Sequence, residues 1–175
     1  MRQQSPKKTV LACALLVGAA VIALNGQYSL TVNFDRLKNA QNEPQNWLIM
    51  NGDYNATRYS KLTQINRENV SDLRMVWALA LGGMQDTGRN GPESEVNPLI
   101  DNGFMYTTDG WGTVYKIDAR NPDYANFVWI ADPGVDHEGN TSRSRGIALW
   151  EDKVLANLPD GRVIAIDREN GEILW

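Results

Sequence analysis

An all-β fold is what this sequence predicts, and three observations carry that expectation. Short apolar or alternating segments rich in Val, Ile, Tyr and Trp recur after Trp47. Turn signals built on Asn-Gly and Asp-Gly separate them. The pattern repeats at roughly the 50-residue length of a four-stranded blade, and no stretch of the body sustains a helical period.

The chain opens differently. Arg2, Lys7 and Lys8 precede an uncharged run from Thr9 to Leu24, the arrangement of an export signal. The run falls short of the roughly 20 apolar residues of a membrane span, so residues 1–24 are expected to be a signal peptide or a signal anchor. Cys13 reads as a small apolar residue of that run. Residues 25–45 are polar and aperiodic, with Asn33-Phe34-Asp35-Arg36-Leu37 as the single candidate helical turn, and are expected to be a linker.

From Trp47 onward strands are expected over Met75–Leu81, Phe104–Thr108, Thr113–Asp118, Phe127–Ile130, Val154–Asn157, Val163–Asp167 and Ile173–Trp175. Asp101-Asn102-Gly103, Asp109-Gly110, Asp160-Gly161 and Asn170-Gly171 supply the turns between them. Laying Asp101–Asp118 over Glu151–Asp167 preserves strand, turn and strand, with one residue lost in the turn. Each copy then runs to a tryptophan, Trp129 or Trp175, and Asn69–Trp77 supplies a third such ending. One blade cannot bury both faces of its sheet, so blades stack around an axis, and a tryptophan closing each outer strand can wedge against the next blade. The expected architecture is therefore a β-propeller, represented by an opening segment and its first two to three blades over residues 46–175. The apolar stop at Trp175, with no polar tail, reads as a truncation.

Beyond Cys13 there is no cysteine, which removes disulfides and thiolate metal sites from residues 25–175. Three of the 17 Lys and Arg precede that part, leaving 14 against all 21 Asp and Glu, a net charge of −7. With no basic block to relieve this balance, nucleic acid is excluded as a partner.

The string Ala165-Ile166-Asp167-Arg168-Glu169-Asn170-Gly171-Glu172-Ile173-Leu174-Trp175 resembles the tryptophan-docking motif of quinoprotein alcohol dehydrogenases, with Asn170 where that family usually has Thr. Trp47, Asn51–Ser60, Leu62–Asn66 and Asn69-Val70 are similar to the family's approach to its first blade, so the resemblance covers about residues 46–175. It implies an eight-bladed propeller and the cofactor pyrroloquinoline quinone (PQQ). Glu95, in Glu95-x-x-Pro98, matches a family Glu that reaches the quinone, after which a blade strand begins. Arg145, in Arg145-Gly146, matches a family Arg that pairs with a cofactor carboxylate, a task suited to its rigid fork of donors.

Two departures stand beside these matches. The adjacent cysteines of many family members would fall close to Gly139-Asn140, and a family Thr that contacts the cofactor would fall at Asn157 or Leu158. Asn157 is kept as a third candidate cofactor contact. The resemblance further implies oxidation of an alcohol, polyol or sugar, a calcium or lanthanide ion as Lewis acid, and a cytochrome c or membrane quinone as electron acceptor in the periplasm. It places the metal ligands, the base and the stacking Trp beyond Trp175, so the fragment is expected to hold no catalytic or metal-ligating residue and to be inactive alone. The competing expectation is a non-enzymatic propeller serving as an outer-membrane assembly scaffold. His137, between Asp136 and Glu138, reads as a solvated side chain, and Asp109-Gly110-Trp111-Gly112 as a tight turn with an aromatic tip.

Overall fold

Asn102 and Gly103 both take left-handed backbone, φ +52° and +75°. This is the geometry of a two-residue hairpin turn whose twist matches that of its strands. It joins β2 (Leu99–Asp101) to β3 (Phe104–Thr108), with Asp101 opposite Phe104. The computed structural model describes residues 31–82, 93–138 and 143–175. The signal or anchor expected over 1–24 lies outside them.

A five-residue loop leads from β3 to β4 (Val114–Asp118), and β5 (Asn126–Ala131) completes a four-stranded antiparallel sheet in the order β2-β3-β4-β5. A bulge between Lys116 and Ile117 shifts the β4–β5 register. A second sheet pairs β7 (Ile147–Trp150), β8 (Lys153–Asn157) and β9 (Val163–Asp167) in the same sense. The Ile166–Ile173 bridge and the bonds Leu174 N to Ala165 O (2.8 Å) and Ala165 N to Trp175 O (3.0 Å) begin its fourth strand. These are two consecutive blades, as the repeat predicts. Between them runs a short parallel pair, β1 (Glu93–Ser94) with β6 (Arg143–Ser144), which periodicity did not reveal because two residues carry no period.

The register of the repeat differs from the sequence overlay. β3 and β8 are 49 residues apart, as are β4 and β9, so no residue is lost. Glu151, at φ +52°, is the counterpart of Asn102 rather than of Asp101. Chemical likeness between Asp101 and Glu151 misled the overlay; the backbone angle decides the equivalence.

Trp129 lies opposite Lys116, and Trp175 bonds to Ala165, which is 49 positions after Lys116, so the two tryptophans are equivalent. Trp129 is 8 % exposed and Trp175 is 64 % exposed. The difference comes from the turn that follows β9. There the Asp167 carboxylate accepts the backbone N–H of Glu169 (2.8 Å) and Asn170 (3.1 Å), and Gly171 takes φ +81°. Trp129 packs on this turn: a Cβ on Gly171 would sit 2.8 Å from its Cγ, and its indole N–H donates to Arg168 O at 3.1 Å. The wedge of one blade into the next is thus realised at Trp129.

Two expectations fail for want of partners. Met75–Leu81 forms no strand; Val76 and Met75 are exposed, and no described strand offers that backbone a ladder. The third tryptophan ending, Asn69–Trp77, likewise holds only a short 3₁₀ turn at Val70–Asp72 and does not build a blade.

The described part of the expected linker, residues 31–45, belongs to the body. Val32 exchanges two backbone bonds with Glu151 of the second blade (3.1 and 2.7 Å), and Trp47 exchanges two with Ile100 of the first (2.8 and 2.9 Å). Between these anchors lies the expected helical turn, α1 (Phe34–Lys38), capped by the Asn33 side chain accepting from Arg36 N at 3.0 Å. Leu37 enters the core, while Arg36 reaches Glu43 (2.6 Å) and the buried Asp101 (3.0 Å). A polar sequence resembled a linker because its ties to the blades run through backbone bonds and one arginine, not through an apolar period.

Candidate functional site

The parallel β1–β6 pair brings together the two residues that the Glu-x-x-Pro and Arg-Gly strings singled out. Glu95 N donates to Ser144 O at 3.1 Å, extending the ladder by one residue, and Ser94 Oγ donates to Thr108 O at 3.2 Å. Arg145 is thereby set beside Glu95, and its Nη1 lies 2.9 Å from Glu95 Oε2. Both side chains remain open to solvent, 68 % for Arg145 and 40 % for Glu95. Pro98 is followed at once by β2, as the Glu-x-x-Pro match implies.

Arg145 also borders a groove of about 360 Å³ in which Asn97 and Asn157 supply the polar groups and Ile147, Ala156 and Val163 the apolar lining. That size suits a small organic ligand. Asn157 stands at the end of β8 and is exposed, whereas Leu158 is buried. Asn157 thus borders the groove, and Leu158 belongs to the core. Two of the candidates, Arg145 and Asn157, line this groove, and the third, Glu95, stands beside Arg145. Asn97 was not singled out, although its place between Glu95 and Pro98 was the signal. Gly139-Asn140, where the family's cysteines would fall, lie outside the described residues.

A second cleft lies by the β3–β4 loop. Asp109 Oδ1 accepts from the backbone N–H of Trp111 (2.9 Å) and Thr113 (3.1 Å), while Oδ2 accepts from the Tyr115 hydroxyl (2.8 Å). These bonds fold Trp111 inward, so it is buried and not an aromatic tip. His137 stacks on it, with ring centroids 3.9 Å apart and planes 15° from parallel, and is half-buried rather than solvated. Both corrections have one cause: the loop's carboxylate turns inward, and the aromatic residues follow it.

Burial, and next to it the Asp109 carboxylate, push the Tyr115 phenol up to about 12. A folded-state value above the unfolded value of roughly 10 stabilises the fold fully below pH ~10, and that contribution is lost as pH rises toward 12. Alkaline titration followed by tyrosinate absorbance should show a phenol ionising near pH 12, and Tyr115→Phe should remove that step.

Among the described residues no group of three or more His, Cys, Asp or Glu could hold a metal ion. No helix among them is long and apolar enough to cross a membrane.

Comparison with known proteins gives the groove its context. A family model described as the glucose/ethanol/alcohol dehydrogenase β-propeller domain matches residues 47–174. The quinohemoprotein alcohol dehydrogenase ADH-IIG of Pseudomonas putida is 34 % identical over 97 % of this chain and 23 % of its own. The lanthanide-dependent methanol dehydrogenase of Methylacidiphilum fumariolicum (strain SolV) is 32 % identical over the whole chain and 28 % of its own. The crystal structure of quinohemoprotein alcohol dehydrogenase from Comamonas testosteroni superposes with a TM-score of 0.71 at 34 % identity, covering 83 % of this chain and 21 % of that one. The chain thus spans about a quarter of the length of the relatives it matches. With two consecutive blades and a family model covering most of its length, this chain belongs to the PQQ-type glucose/ethanol/alcohol dehydrogenase β-propeller family.

Proposed function

We propose that this chain supplies one wall of a PQQ site in an exported dehydrogenase that oxidises an alcohol, a polyol or a sugar. The observation that carries the reading is the meeting of Arg145 and Glu95 at 2.9 Å beside the groove that Asn157 borders. The fit to the cofactor is chemical. A flat polycarboxylate needs cationic donors at its edge and apolar surface along its face. Arg145 offers a planar fork that is largely open to solvent, Asn97 and Asn157 offer amides, and Ile147, Ala156 and Val163 offer the apolar surface.

In this reading Arg145 holds a cofactor carboxylate, Asn157 and Asn97 orient the ring system by hydrogen bonding, and the apolar lining excludes water from one of its faces. When bound, PQQ supplies the two-electron acceptor for alcohol oxidation, assisted by a calcium or lanthanide ion. A lanthanide-dependent relative among the matches makes both metals worth testing. The described residues of this chain would contribute the wall and not the metal ligands. Electrons would pass to a cytochrome c or a membrane quinone. The basic start and apolar run of residues 1–24 support export to the periplasm in this reading, as a free or anchored form.

The test is reconstitution of the intact dehydrogenase that contains this chain with PQQ and calcium or a lanthanide, followed by alcohol-dependent reduction of an artificial acceptor. Arg145→Ala should weaken PQQ retention about tenfold, ~1.4 kcal/mol, without lowering the thermal midpoint. No alcohol-dependent reduction, and no quinone absorbance retained through gel filtration, would overturn the reading.

A further inference from the structure

The cleft by the β3–β4 loop shares no lining residue with the groove beside Arg145 and has no task in the reading above. It encloses about 360 Å³, room for a small organic molecule. Its wall contains a donor without an acceptor. The Trp111 side chain is 3 % exposed, and nothing among the described residues accepts its indole N–H. Buried indole N–H groups ordinarily find a partner, and one left alone has given up its hydration for nothing in return. The same ring lines the cleft, so an acceptor held there can supply the missing bond.

The other polar groups select that acceptor. Asp109 takes three donors, the backbone N–H of Trp111 and of Thr113 and the Tyr115 hydroxyl, which leaves open one of the roughly four lone-pair positions of a carboxylate. Asp132, which is exposed, takes Gly134 N at 2.9 Å. No Lys or Arg stands among the described residues that line the cleft, so an anion brought to the indole would face two carboxylates and no cation. An ammonium would suit those carboxylates but has no lone pair for the Trp111 N–H. A hydroxyl group serves both, since it accepts from nitrogen and donates to oxygen. Phe127, Ile130 and Val135 add apolar surface for the C–H faces of such a molecule.

We propose that this cleft binds a neutral polyhydroxylated molecule, one of whose oxygens accepts from Trp111 Nε1 while its hydroxyl hydrogens go to Asp132 and Asp109. His137, stacked on the indole with centroids 3.9 Å apart, fixes the plane of that ring and hence the direction of its N–H. The inference rests on the cleft's own groups and needs no cofactor.

The test uses the intact protein that contains this chain, without PQQ and isotope-labelled at its tryptophan indole nitrogens. It is titrated by NMR with sorbitol, methyl α-glucoside, gluconate and tetramethylammonium. Trp111→Phe identifies the Trp111 resonance by its loss. That resonance should shift saturably with sorbitol or with methyl α-glucoside, the tighter of the two telling an open chain from a ring, and should stay in place with gluconate and tetramethylammonium. By calorimetry, Asp132→Ala, a change at an exposed side chain, should weaken the same binding about tenfold, as expected for loss of one hydrogen bond to a charged group. A Trp111 resonance unmoved by both neutral ligands overturns the inference. So does a saturable shift with gluconate or tetramethylammonium in their place, or undiminished binding by Asp132→Ala. Thermal unfolding of both variants separates lost binding from a lost fold.

Discussion

Replacing Arg168 with alanine is expected to destabilise the fold by ~3–5 kcal/mol, the range for removing one partner of a buried ion pair. Arg168 and Asp101 are both 0 % exposed and lie 2.6 Å apart, Nη2 to Oδ2. The guanidinium also donates to Glu151 O at 3.2 Å and lies 5.1 Å over the Tyr106 ring. Asp101 in turn accepts from Arg36 of α1 at 3.0 Å. One carboxylate thus joins the first blade, the second blade and the opening segment. Loss of Arg168 leaves that buried carboxylate without its closest described cation, and desolvation makes this costly. The urea midpoint should fall sharply, whereas Arg162→Ala, at an exposed pair with Asp160, should leave it nearly unchanged. Equal effects of the two substitutions would refute a structural role for the buried pair. A double-mutant cycle between Asp101→Asn and Arg168→Met should show strong non-additivity.

The second large effect is expected where Trp129 docks. Trp129→Ala removes a buried aromatic side chain and its hydrogen bond to Arg168 O, and should cost ~3–5 kcal/mol. The complementary change is Gly171→Ala. Its new methyl group would sit 2.8 Å from Trp129 Cγ, on backbone at φ +81°. Left-handed backbone alone costs an L-residue ~1–2 kcal/mol, and displacement of the indole adds to it. In a Trp129→Ala background, Gly171→Ala should retain only the conformational part. Red-shifted tryptophan emission in Gly171→Ala would report the displaced indole; an unchanged spectrum and urea midpoint would contradict this packing.

Legibility followed distance along the chain. Asn102-Gly103 and Asn170-Gly171 announced their turns because each turn is closed by residues within a few positions of one another. The blade strands were readable wherever a neighbour strand follows through a short loop. Met75–Leu81 has the composition of a strand, but composition records only fit to a pleated surface, and a ladder also needs a partner backbone. His137 looked solvated between two acids because its neighbour in space, Trp111, is far from it in sequence. At the groove, Glu95 and Arg145 were identified one at a time by their motifs. Their mutual contact could not be read from either string, nor could the place of Asn157 at the groove and of Leu158 in the core.

By itself, then, the sequence determined the all-β class, the positions of the tight turns, the existence of the repeat and the residues to watch at the groove. The class, the turns and the repeat depend on local backbone preference and on patterns of period two, whereas the groove residues came from the family resemblance of their strings. The tertiary structure alone decided the pairing of Arg145 with Glu95, the burial of Arg168 with Asp101, the incorporation of residues 31–45 and the different exposures of Trp129 and Trp175. The physical reason is common to all four. Ion pairing, burial and hydrogen-bond satisfaction belong to pairs of groups, and here the second member of each pair is supplied by a distant part of the chain or, for Trp175, by none of the described residues.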